Sequence, residues 1–260
     1  MIVVKIGGGA LAGGALEDLP GLLSSGSPVV LVHGGGPSLT RMLDALDIPT
    51  RFHGGLRVTD ERTLEVAEMV FAGQVNKSLV RELVSLGVPA VGISGTDGPT
   101  LLVEGIEELG RVGEIVRVDT KLLETIASGG FVPTVAPLGV GPVGGGSGDS
   151  VGAYNVNADM AAAAISSALG ASHLFLMTDV DGFLEGGEVI AGIPVGETES
   201  YIESGAAEGG MAPKLRAASK AAKSGVEARI INGNTKGALA KAVAGGKVGT
   251  VISDGSEGVA

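Results

Sequence analysis

Residues 2–9 read Ile-Val-Val-Lys-Ile-Gly-Gly-Gly, a short apolar run with one lysine that ends in three glycines. Strands that are apolar along nearly their whole length are typical of parallel sheets covered on both faces. Similar runs recur along the chain and predict strands at 2–6, 29–32, 90–93, 132–136, 173–177, 228–231 and 250–252. Amphipathic segments between them predict helices at about 15–25, 38–46, 61–86, 121–128, 158–169, 213–224 and 236–244.

The alternation of strand and helix predicts an α/β fold with a mostly parallel central sheet. In such sheets ligands bind beyond the carboxyl ends of the strands, where the glycine-rich turns of this chain fall. Two segments, 99–119 and 138–154, interrupt the alternation and are predicted to form hairpins. The second contains seven glycines, so it is either a mobile flap over a site or a solvent loop.

Composition excludes several classes of function. The 260 residues include no Cys, which excludes disulfides, thiolate metal sites and cysteine nucleophiles. The formal net charge of -11 argues against nucleic acid or an anionic membrane as the main partner. No run approaches the ~18 apolar residues that a membrane span requires. We therefore expect a cytoplasmic protein with small-molecule ligands.

The first glycine-rich turn follows Lys5. Glycines let backbone N–H groups approach a ligand closely, and a neighbouring lysine can neutralise phosphate oxygens. The turn is not a Walker A loop, because the Gly-x4-Gly-Lys-Ser/Thr pattern is absent, and it lacks the acidic residue of a Rossmann fingerprint. It is either a phosphate site or a flexible turn beside a solvated lysine.

A second such turn, His33-Gly34-Gly35-Gly36-Pro37, follows the second predicted strand and opens a helix. The N–H groups and the dipole of a helix N-terminus form an anion site. Two turns of this kind, about thirty residues apart, favour two facing anionic groups, as in transfer between a nucleotide and an acceptor. We expect His33 to pack or form hydrogen bonds rather than to catalyse.

Three further polar residues follow glycines or flank a helix start. Arg57, after Gly54-Gly55, could grip a carboxylate bidentately or be an ordinary surface arginine. Asn155 and Asp159 flank a helix start at which Asn157 is the expected N-cap. The Asn155 amide could hold a carboxylate and Asp159 could orient lysines, or both could simply cap the helix.

Lys214 and the segment 178–182 are the remaining candidate ligand-binding residues. Lys214 lies at a predicted helix N-terminus, where a cation opposes the dipole, so a phosphate or Asp159 is its expected partner. Thr-Asp-Val-Asp-Gly at 178–182 ends the fifth predicted strand. This segment lines a nucleotide pocket or, through its paired aspartates, binds Mg²⁺.

Taken in this order and spacing, the motifs resemble the amino-acid kinase family over residues 2–252. They are Val-Lys-Ile-Gly-Gly-Gly at 4–9, His-Gly-Gly-Gly-Pro at 33–37, Asn-Val-Asn-Ala-Asp at 155–159 and Gly-Gly-Met-Ala-Pro-Lys at 209–214. Gly-Leu-Arg-Val-Thr at 55–59 and Glu-Leu-Gly-Arg-Val-Gly at 108–113 resemble the branch of the family that acts on N-acetyl-L-glutamate.

The resemblance implies a three-layer αβα sandwich formed by one domain, 1–260. An N-lobe of about 1–170 would bind the acceptor and dimerise, and a C-lobe of about 171–252 would bind ATP. The implied reaction is ATP-dependent phosphorylation of the γ-carboxylate of N-acetyl-L-glutamate, in arginine biosynthesis. Mg²⁺ would arrive bound to ATP, with no dedicated protein ligands.

The resemblance also implies residue roles. Lys5 and Lys214 would stabilise the transferring phosphoryl group, Asp159 would hold both lysines, and Gly8 would offer its N–H group. The acceptor would contact Gly35, Gly36, Arg57 and Asn155. The nucleotide would contact Gly7, Asp179, Val180, Asp181, Gly182, Phe183, Leu184, Ala206, Ala207 and Glu208.

Two rival functions share this fold. A kinase of lysine biosynthesis that acts on α-aminoadipate or glutamate held by an acidic carrier protein should be basic around its site, which the charge of -11 disfavours. A non-catalytic nucleotide or amino-acid sensor would not need both lysines. Arginine-inhibited members of the family carry an extra N-terminal helix that builds a hexamer. Because this sequence starts at the first strand, we expect a homodimer without arginine feedback.

Overall fold

The computed structural model describes residues 1–7, 14–142, 151–207 and 209–254. The strands are β1 (Ile2–Ile6), β2 (Val29–His33), β3 (Phe52–His53), β4 (Leu56–Arg57), β5 (Ala90–Ser94), β6 (Leu101–Gly105), β7 (Gly113–Val118), β8 (Val132–Ala136), β9 (Leu138–Pro142), β10 (Val151–Asn155), β11 (His173–Thr178), β12 (Leu184–Glu185), β13 (Glu188–Val189), β14 (Gly192–Pro194), β15 (Glu227–Asn232) and β16 (Thr250–Ser253). The α-helices are α1 (Leu19–Ser24), α2 (Gly36–Ala45), α3 (Glu61–Glu68), α4 (Asn76–Ser85), α5 (Lys121–Ser128), α6 (Ala158–Ala168), α7 (Thr198–Glu203), α8 (Met211–Ala222) and α9 (Ala238–Val243).

An eight-stranded sheet forms the centre of the fold, in the order β14-β16-β15-β11-β1-β2-β8-β5. Every pairing is parallel except that of β15 with β16, so the predicted mostly parallel sheet is confirmed. Strand β1 lies in the middle, paired with β2 on one side and β11 on the other. The carboxyl end of β1, with Lys5, therefore lies at the centre of the ligand-binding edge.

Helices cover both faces of the sheet, as the apolar strands predict. The buried side chains of α6 and α8 join one face of β1, β2, β11 and β15 in a single core. Those of α1, α4 and α9 form a second core on the opposite face. A third cluster joins α2, α3 and the segment Met69–Val75. This is the three-layer arrangement that the sequence predicts.

Both predicted hairpins are present, in a separate four-stranded sheet of order β10-β9-β6-β7. Strands β6 and β7 lie within the predicted segment 99–119, and β9 and β10 lie within 138–154 or end one residue beyond it. Residues 143–150, the centre of the predicted flap, lie outside the described residues. Strand β10 ends at Asn155, directly before α6, so this hairpin delivers the Asn-Val-Asn-Ala-Asp motif to the sheet edge.

Several elements differ from the prediction. The helix expected at 61–86 is α3 and α4 joined by a π-helical segment, Met69–Val75. The helix expected at 15–25 begins as a 3-10 turn, Gly14–Asp18, before α1. The short strands β3, β4 and β12–β14 were not predicted, because two or three residues carry too little periodicity. Within the described ranges, no helix is both long and apolar enough to cross a bilayer.

Candidate active site

Lys5, Asp159 and Lys214 meet at the centre of the carboxyl edge of the sheet. Lys5 Nζ lies 2.8 Å from Asp159 Oδ1, and Lys214 Nζ lies 3.6 Å from Asp159 Oδ2. The side chains are 6%, 8% and 13% exposed for Lys5, Asp159 and Lys214, so the three charges are largely removed from water. Two ammonium groups and one carboxylate leave this buried cluster with a net positive charge suited to an anion.

Burial and charge act in opposite directions on this cluster. Burial alone would raise the pKa of the Asp159 carboxyl, but the charges and hydrogen bonds of Lys5 and Lys214 outweigh it and hold that pKa below its ordinary value. Burial lowers the pKa of Lys214, and Asp159 opposes this effect while Lys5 adds to it. Asp159 therefore favours the charged form of Lys214.

Local structure explains why Asp159 lies where it does. Asn157 is the N-cap of α6, and its Oδ1 accepts hydrogen bonds from the N–H groups of Asp159 and Met160, both at 3.0 Å. The expected capping role of Asn157 is thus confirmed, and Asp159 occupies the first turn, where the dipole favours an anion. Helix α6 packs on α8, and their contact includes fully buried alanines that let the two helices approach closely. This packing brings Lys214, near the start of α8, to Asp159.

The side chain of His33 is completely buried and contacts the glycine turn that follows β2. His33 Nδ1 lies 2.7 Å from the Gly34 carbonyl oxygen, and Nε2 lies 3.1 Å from Asn76 Nδ2. Burial lowers the pKa of His33 to about 4, and the nearby Lys5 adds to the effect. The ring is therefore neutral at pH 7 and forms hydrogen bonds, as expected.

Gly35 and Gly7 are required by close contacts. A Cβ atom on Gly35 would lie 2.8 Å from the Phe71 ring, and one on Gly7 would lie 2.8 Å from the Met177 carbonyl oxygen. Gly7 thus lets the end of β1 lie against the end of β11, where the predicted nucleotide loop begins. By contrast, a Cβ on Gly36 would meet open space.

Arg57 is buried and its guanidinium is fixed in place. It donates to Thr50 Oγ1 at 3.0 Å and to Thr40 Oγ1 at 2.7 Å, and it lies 4.7 Å from the centre of the Phe52 ring. Burial lowers the pKa of Arg57, against the opposing charge of Asp44. An arginine held in this way beside a cavity is preorganised for an anionic group.

The segment 108–113 joins Arg57 to Asn155. Asn155 Nδ2 donates to Thr59 Oγ1 at 3.1 Å, and its backbone N–H donates to the Arg111 carbonyl at 2.9 Å. The N–H of Arg111 in turn donates to the Thr59 carbonyl at 2.6 Å, and the Arg111 side chain pairs with Glu61. Three sequence motifs far apart in the chain therefore form one wall.

A cavity of about 230 Å³ lies between these groups. Its lining includes the predicted residues Lys5, Gly35, Gly36, Arg57, Asn155 and Asp159. Apolar side chains complete the wall, among them Leu56, Phe71, Val112 and Val156. A small molecule with an apolar part and anionic groups fits such a lining, which includes the cations of Lys5 and Arg57.

The predicted nucleotide segment 179–184 follows β11, which lies on the opposite side of β1 from β2. Asp181 accepts a hydrogen bond from Asn232 at 2.8 Å, and Asp179 accepts one from Thr178 at 3.1 Å. Phe183 is buried in the core, and its N–H donates to Thr250, so the loop presents its neighbours rather than this side chain to a ligand. Gly8 and Glu208 lie outside the described residues.

A larger cavity, of about 780 Å³, lies between α9, β15 and β16. Of the predicted site residues, only Asp181 lines it. Among the described residues there is no cluster of three or more His, Asp or Glu side chains that could bind a metal. The aspartates of 178–182 already accept hydrogen bonds from neighbouring side chains.

Several residues of the site were missed from the sequence. Phe52 and Thr50 fix Arg57, and the hairpin of β3 and β4 that carries Phe52 turns at Gly54-Gly55, both with positive φ. A Gly-Gly pair between two short runs is a known hairpin signal, so this element could have been found. Asn76 had no local signal.

Comparisons with known proteins agree with this geometry. A sequence profile described as the amino acid kinase family matches residues 1–232. The chain is 63% identical to acetylglutamate kinase of Rubrobacter xylanophilus over 251 residues, and this alignment covers 96% of each chain. It is 42% identical over 240 residues to acetylglutamate kinase of Halalkalibacterium halodurans, covering 90% of each. The solved structure of smu.665 from Streptococcus mutans UA159 is similar, with a TM-score of 0.83 and 27% identity over 97% of this chain and 98% of that one.

Proposed function

Because the chain belongs to the amino acid kinase family, we propose that it transfers the γ-phosphoryl group of ATP to the γ-carboxylate of N-acetyl-L-glutamate. The products are N-acetyl-L-glutamyl 5-phosphate and ADP, and the reaction is a step of arginine biosynthesis. The observation that carries the proposal is the Lys5–Asp159–Lys214 cluster beside the cavity of Arg57 and Asn155.

The reaction needs no general base, because the γ-carboxylate is already a nucleophile at neutral pH. A bond forms between a carboxylate oxygen and the γ-phosphorus. The bond from that phosphorus to the bridging oxygen breaks, and ADP leaves with the electron pair. The obstacle is the repulsion between two anions that must come into contact.

Lys5 and Lys214 remove that obstacle. Their ammonium groups are held by Asp159, so they are in place before the reaction and need little reorganisation. The N–H groups at the start of α2 add a second source of positive potential beside the cavity. Positioning and charge stabilisation together supply most of the catalysis in phosphoryl transfer.

Each substrate has its own side of the cluster in this proposal. Arg57 binds the α-carboxylate of N-acetyl-L-glutamate, and Asn155 with Gly35 and Gly36 holds the rest of the acceptor. The nucleotide lies against the loops 179–184 and 206–208, so residues of about 1–170 serve the acceptor and those of about 171–252 serve ATP. Mg²⁺ enters with ATP and neutralises phosphate charge there.

The same proposal includes a cytoplasmic homodimer. Met69 and Val84, on the long helical segment of α3 and α4, are 68% and 56% exposed, and a partner chain that covered them would remove apolar surface from water. Their exposure supports an N-lobe that dimerises. Light scattering coupled to size exclusion gives the mass directly, and a monomer at micromolar concentration would remove this part of the proposal.

The decisive experiment measures ADP release from Mg-ATP with N-acetyl-L-glutamate and traps the acyl phosphate with hydroxylamine. N-acetyl-α-aminoadipate and free glutamate are the comparators. Turnover confined to N-acetyl-L-glutamate is the expected result. No turnover with any of the three would favour the carrier-linked kinase of lysine biosynthesis, and binding without turnover would favour a sensor.

A further inference from the structure

Asn76, the first residue of α4, is completely buried beneath the glycine turn. Its Nδ2 lies 2.8 Å from the Thr134 carbonyl oxygen, 3.2 Å from the Ile93 carbonyl oxygen and 3.1 Å from His33 Nε2. Its Oδ1 lies 3.1 Å from Lys77 Nζ. A single amide therefore contacts the three strands β2, β5 and β8.

These partners fix the orientation of the Asn76 amide. Thr134 and Ile93 offer carbonyl oxygens, which only accept hydrogen bonds, and the Lys77 ammonium only donates them. The NH₂ group must face the carbonyls and the oxygen must face Lys77, since the flipped amide would place like groups together. The two hydrogens of this NH₂ group are shared among the two carbonyl oxygens and His33 Nε2, so Asn76 faces Nε2 as a donor.

The contacts of the two ring nitrogens agree on which of them carries the hydrogen of His33. Because Nε2 accepts from Asn76, the hydrogen of the neutral ring is on Nδ1. Nδ1 lies 2.7 Å from the Gly34 carbonyl oxygen, which accepts. The ring thus holds the peptide between Gly34 and Gly35, immediately before α2 begins.

The surroundings make room for this chain of hydrogen bonds. A Cβ on Gly92 would lie 1.9 Å from Asn76 Oδ1 and 2.8 Å from Lys77 Nζ, so only glycine fits there. The π-helical segment Met69–Val75 ends directly before Asn76 and places Phe71 against Gly35. A π-helical turn shifts the register of the residues after it, and such turns are common at functional sites.

We propose that Asn76 is a positioning residue for phosphoryl transfer. It keeps the hydrogen of His33 on Nδ1, and His33 holds the Gly34 carbonyl so that the N–H groups at the start of α2 face the acceptor cavity. The inference rests on the proposed function, since it assigns Asn76 a role in binding that acceptor. Asn76 itself does not line the cavity and acts through His33.

The first test observes the tautomer. The chain has three histidines, so a ¹⁵N-histidine sample gives few signals, and His53→Gln and His173→Gln assign them. We expect His33 to be protonated on Nδ1 at pH 7. We expect this preference to weaken in Asn76→Leu, which removes the donor that faces Nε2 and keeps the Gly34 carbonyl that faces Nδ1. A hydrogen on Nε2 in the parent protein would overturn the proposal, whatever the kinetics.

The second test compares two substitutions of the same ring. An asparagine side chain places its amide near the position of Nδ1, whereas a glutamine places it near Nε2. We expect His33→Asn to retain turnover within about threefold of the parent. His33→Gln and Asn76→Leu should raise the KM for N-acetyl-L-glutamate about tenfold and leave the KM for Mg-ATP within twofold.

The outcomes separate positioning from stability. A loss of folded protein lowers the number of active sites and leaves both KM values unchanged, so a fall in kcat alone would assign Asn76 a structural role. Equal activity in His33→Asn and His33→Gln would also overturn the proposal.

Calorimetry of N-acetyl-L-glutamate with the parent distinguishes a failure of the proposed function from a failure of the role of Asn76. A parent that neither binds nor phosphorylates it overturns the proposed function, whereas a normal parent with the wrong tautomer overturns only the role of Asn76.

Discussion

Replacing Asp159 by asparagine tests the buried cluster most directly. At an effective dielectric constant of about 20, the carboxylate attracts Lys5 at 2.8 Å by about 6 kcal/mol and Lys214 at 3.6 Å by about 5 kcal/mol. Most of this attraction offsets the cost of burying three charges. Removing one partner of a buried pair nevertheless costs about 3–5 kcal/mol, because the remaining charges stay buried without compensation.

In a chain of this length, such a loss lowers Tm by about 6–20 °C, at about 2–4 °C per kcal/mol. Activity should fall further. Without Asp159, burial and the charge of Lys5 continue to lower the pKa of Lys214, and nothing comparable opposes them. Lys214 then loses its proton more easily than in the parent, so we expect kcat to fall at least about 100-fold, with part of the loss recovered as the pH is lowered.

The assay combines thermal melting with ADP release across pH 6–9. Glu199→Gln is the matched control, since it also converts a carboxylate to an amide and removes an ion pair to α8, with Arg216 at 2.8 Å, but on the exposed surface. We expect the control to melt and turn over like the parent. An Asp159→Asn protein that melts within about 3 °C of the parent and keeps its kcat would refute the reasoning.

Three further predictions concern the acceptor side. Arg57→Lys should raise the KM for N-acetyl-L-glutamate at least about tenfold and leave that for Mg-ATP unchanged, because an ammonium cannot reproduce the fork held by Thr50 and Thr40; equal effects on both substrates would contradict the assignment. Gly35→Ala should lower kcat/KM about tenfold through its clash with Phe71, and adding Phe71→Leu should restore part of it; a double variant no better than the single one would exclude that contact as the cause. The lowered pKa of His33 means that the neutral ring contributes about 3 kcal/mol to stability above about pH 6.5, and that this contribution is lost as the pH falls toward about 4. The Tm of His33→Asn should therefore depend less on pH in this window than the Tm of the parent.

The central architecture could be predicted because its signals are local. Strands such as Val29–His33 are buried at every position. A short run that is apolar throughout is typical of a strand in a sheet covered on both faces. The N-cap at Asn157 and the glycine turns also follow from residue chemistry within a few positions. Lys5, Asp159 and Lys214, which the structure brings together, each stand beside such a signal.

The support beneath the site could not be predicted, because it depends on contacts between distant positions. Asn76 and His33 are 43 residues apart, and Asn76 lies in a helix whose apolar pattern continues through the π-helical segment. Gly92 looks like an ordinary strand glycine until Asn76 is placed against it. No property of the sequence near residue 76 distinguishes its amide from that of a surface asparagine.

The central position of β1 has a consequence for how the protein is made. Ile2 pairs with Val29 on one side and with His173 on the other, so one edge of β1 lacks its partner until about 170 further residues have been added. At about 5–20 residues per second, this interval is on the order of 10–30 s. An unpaired apolar edge is a template for pairing with other chains. Association of nascent chains therefore competes with folding throughout that interval, and slower translation before residue 173 should reduce the yield of folded enzyme without changing the stability of the finished protein.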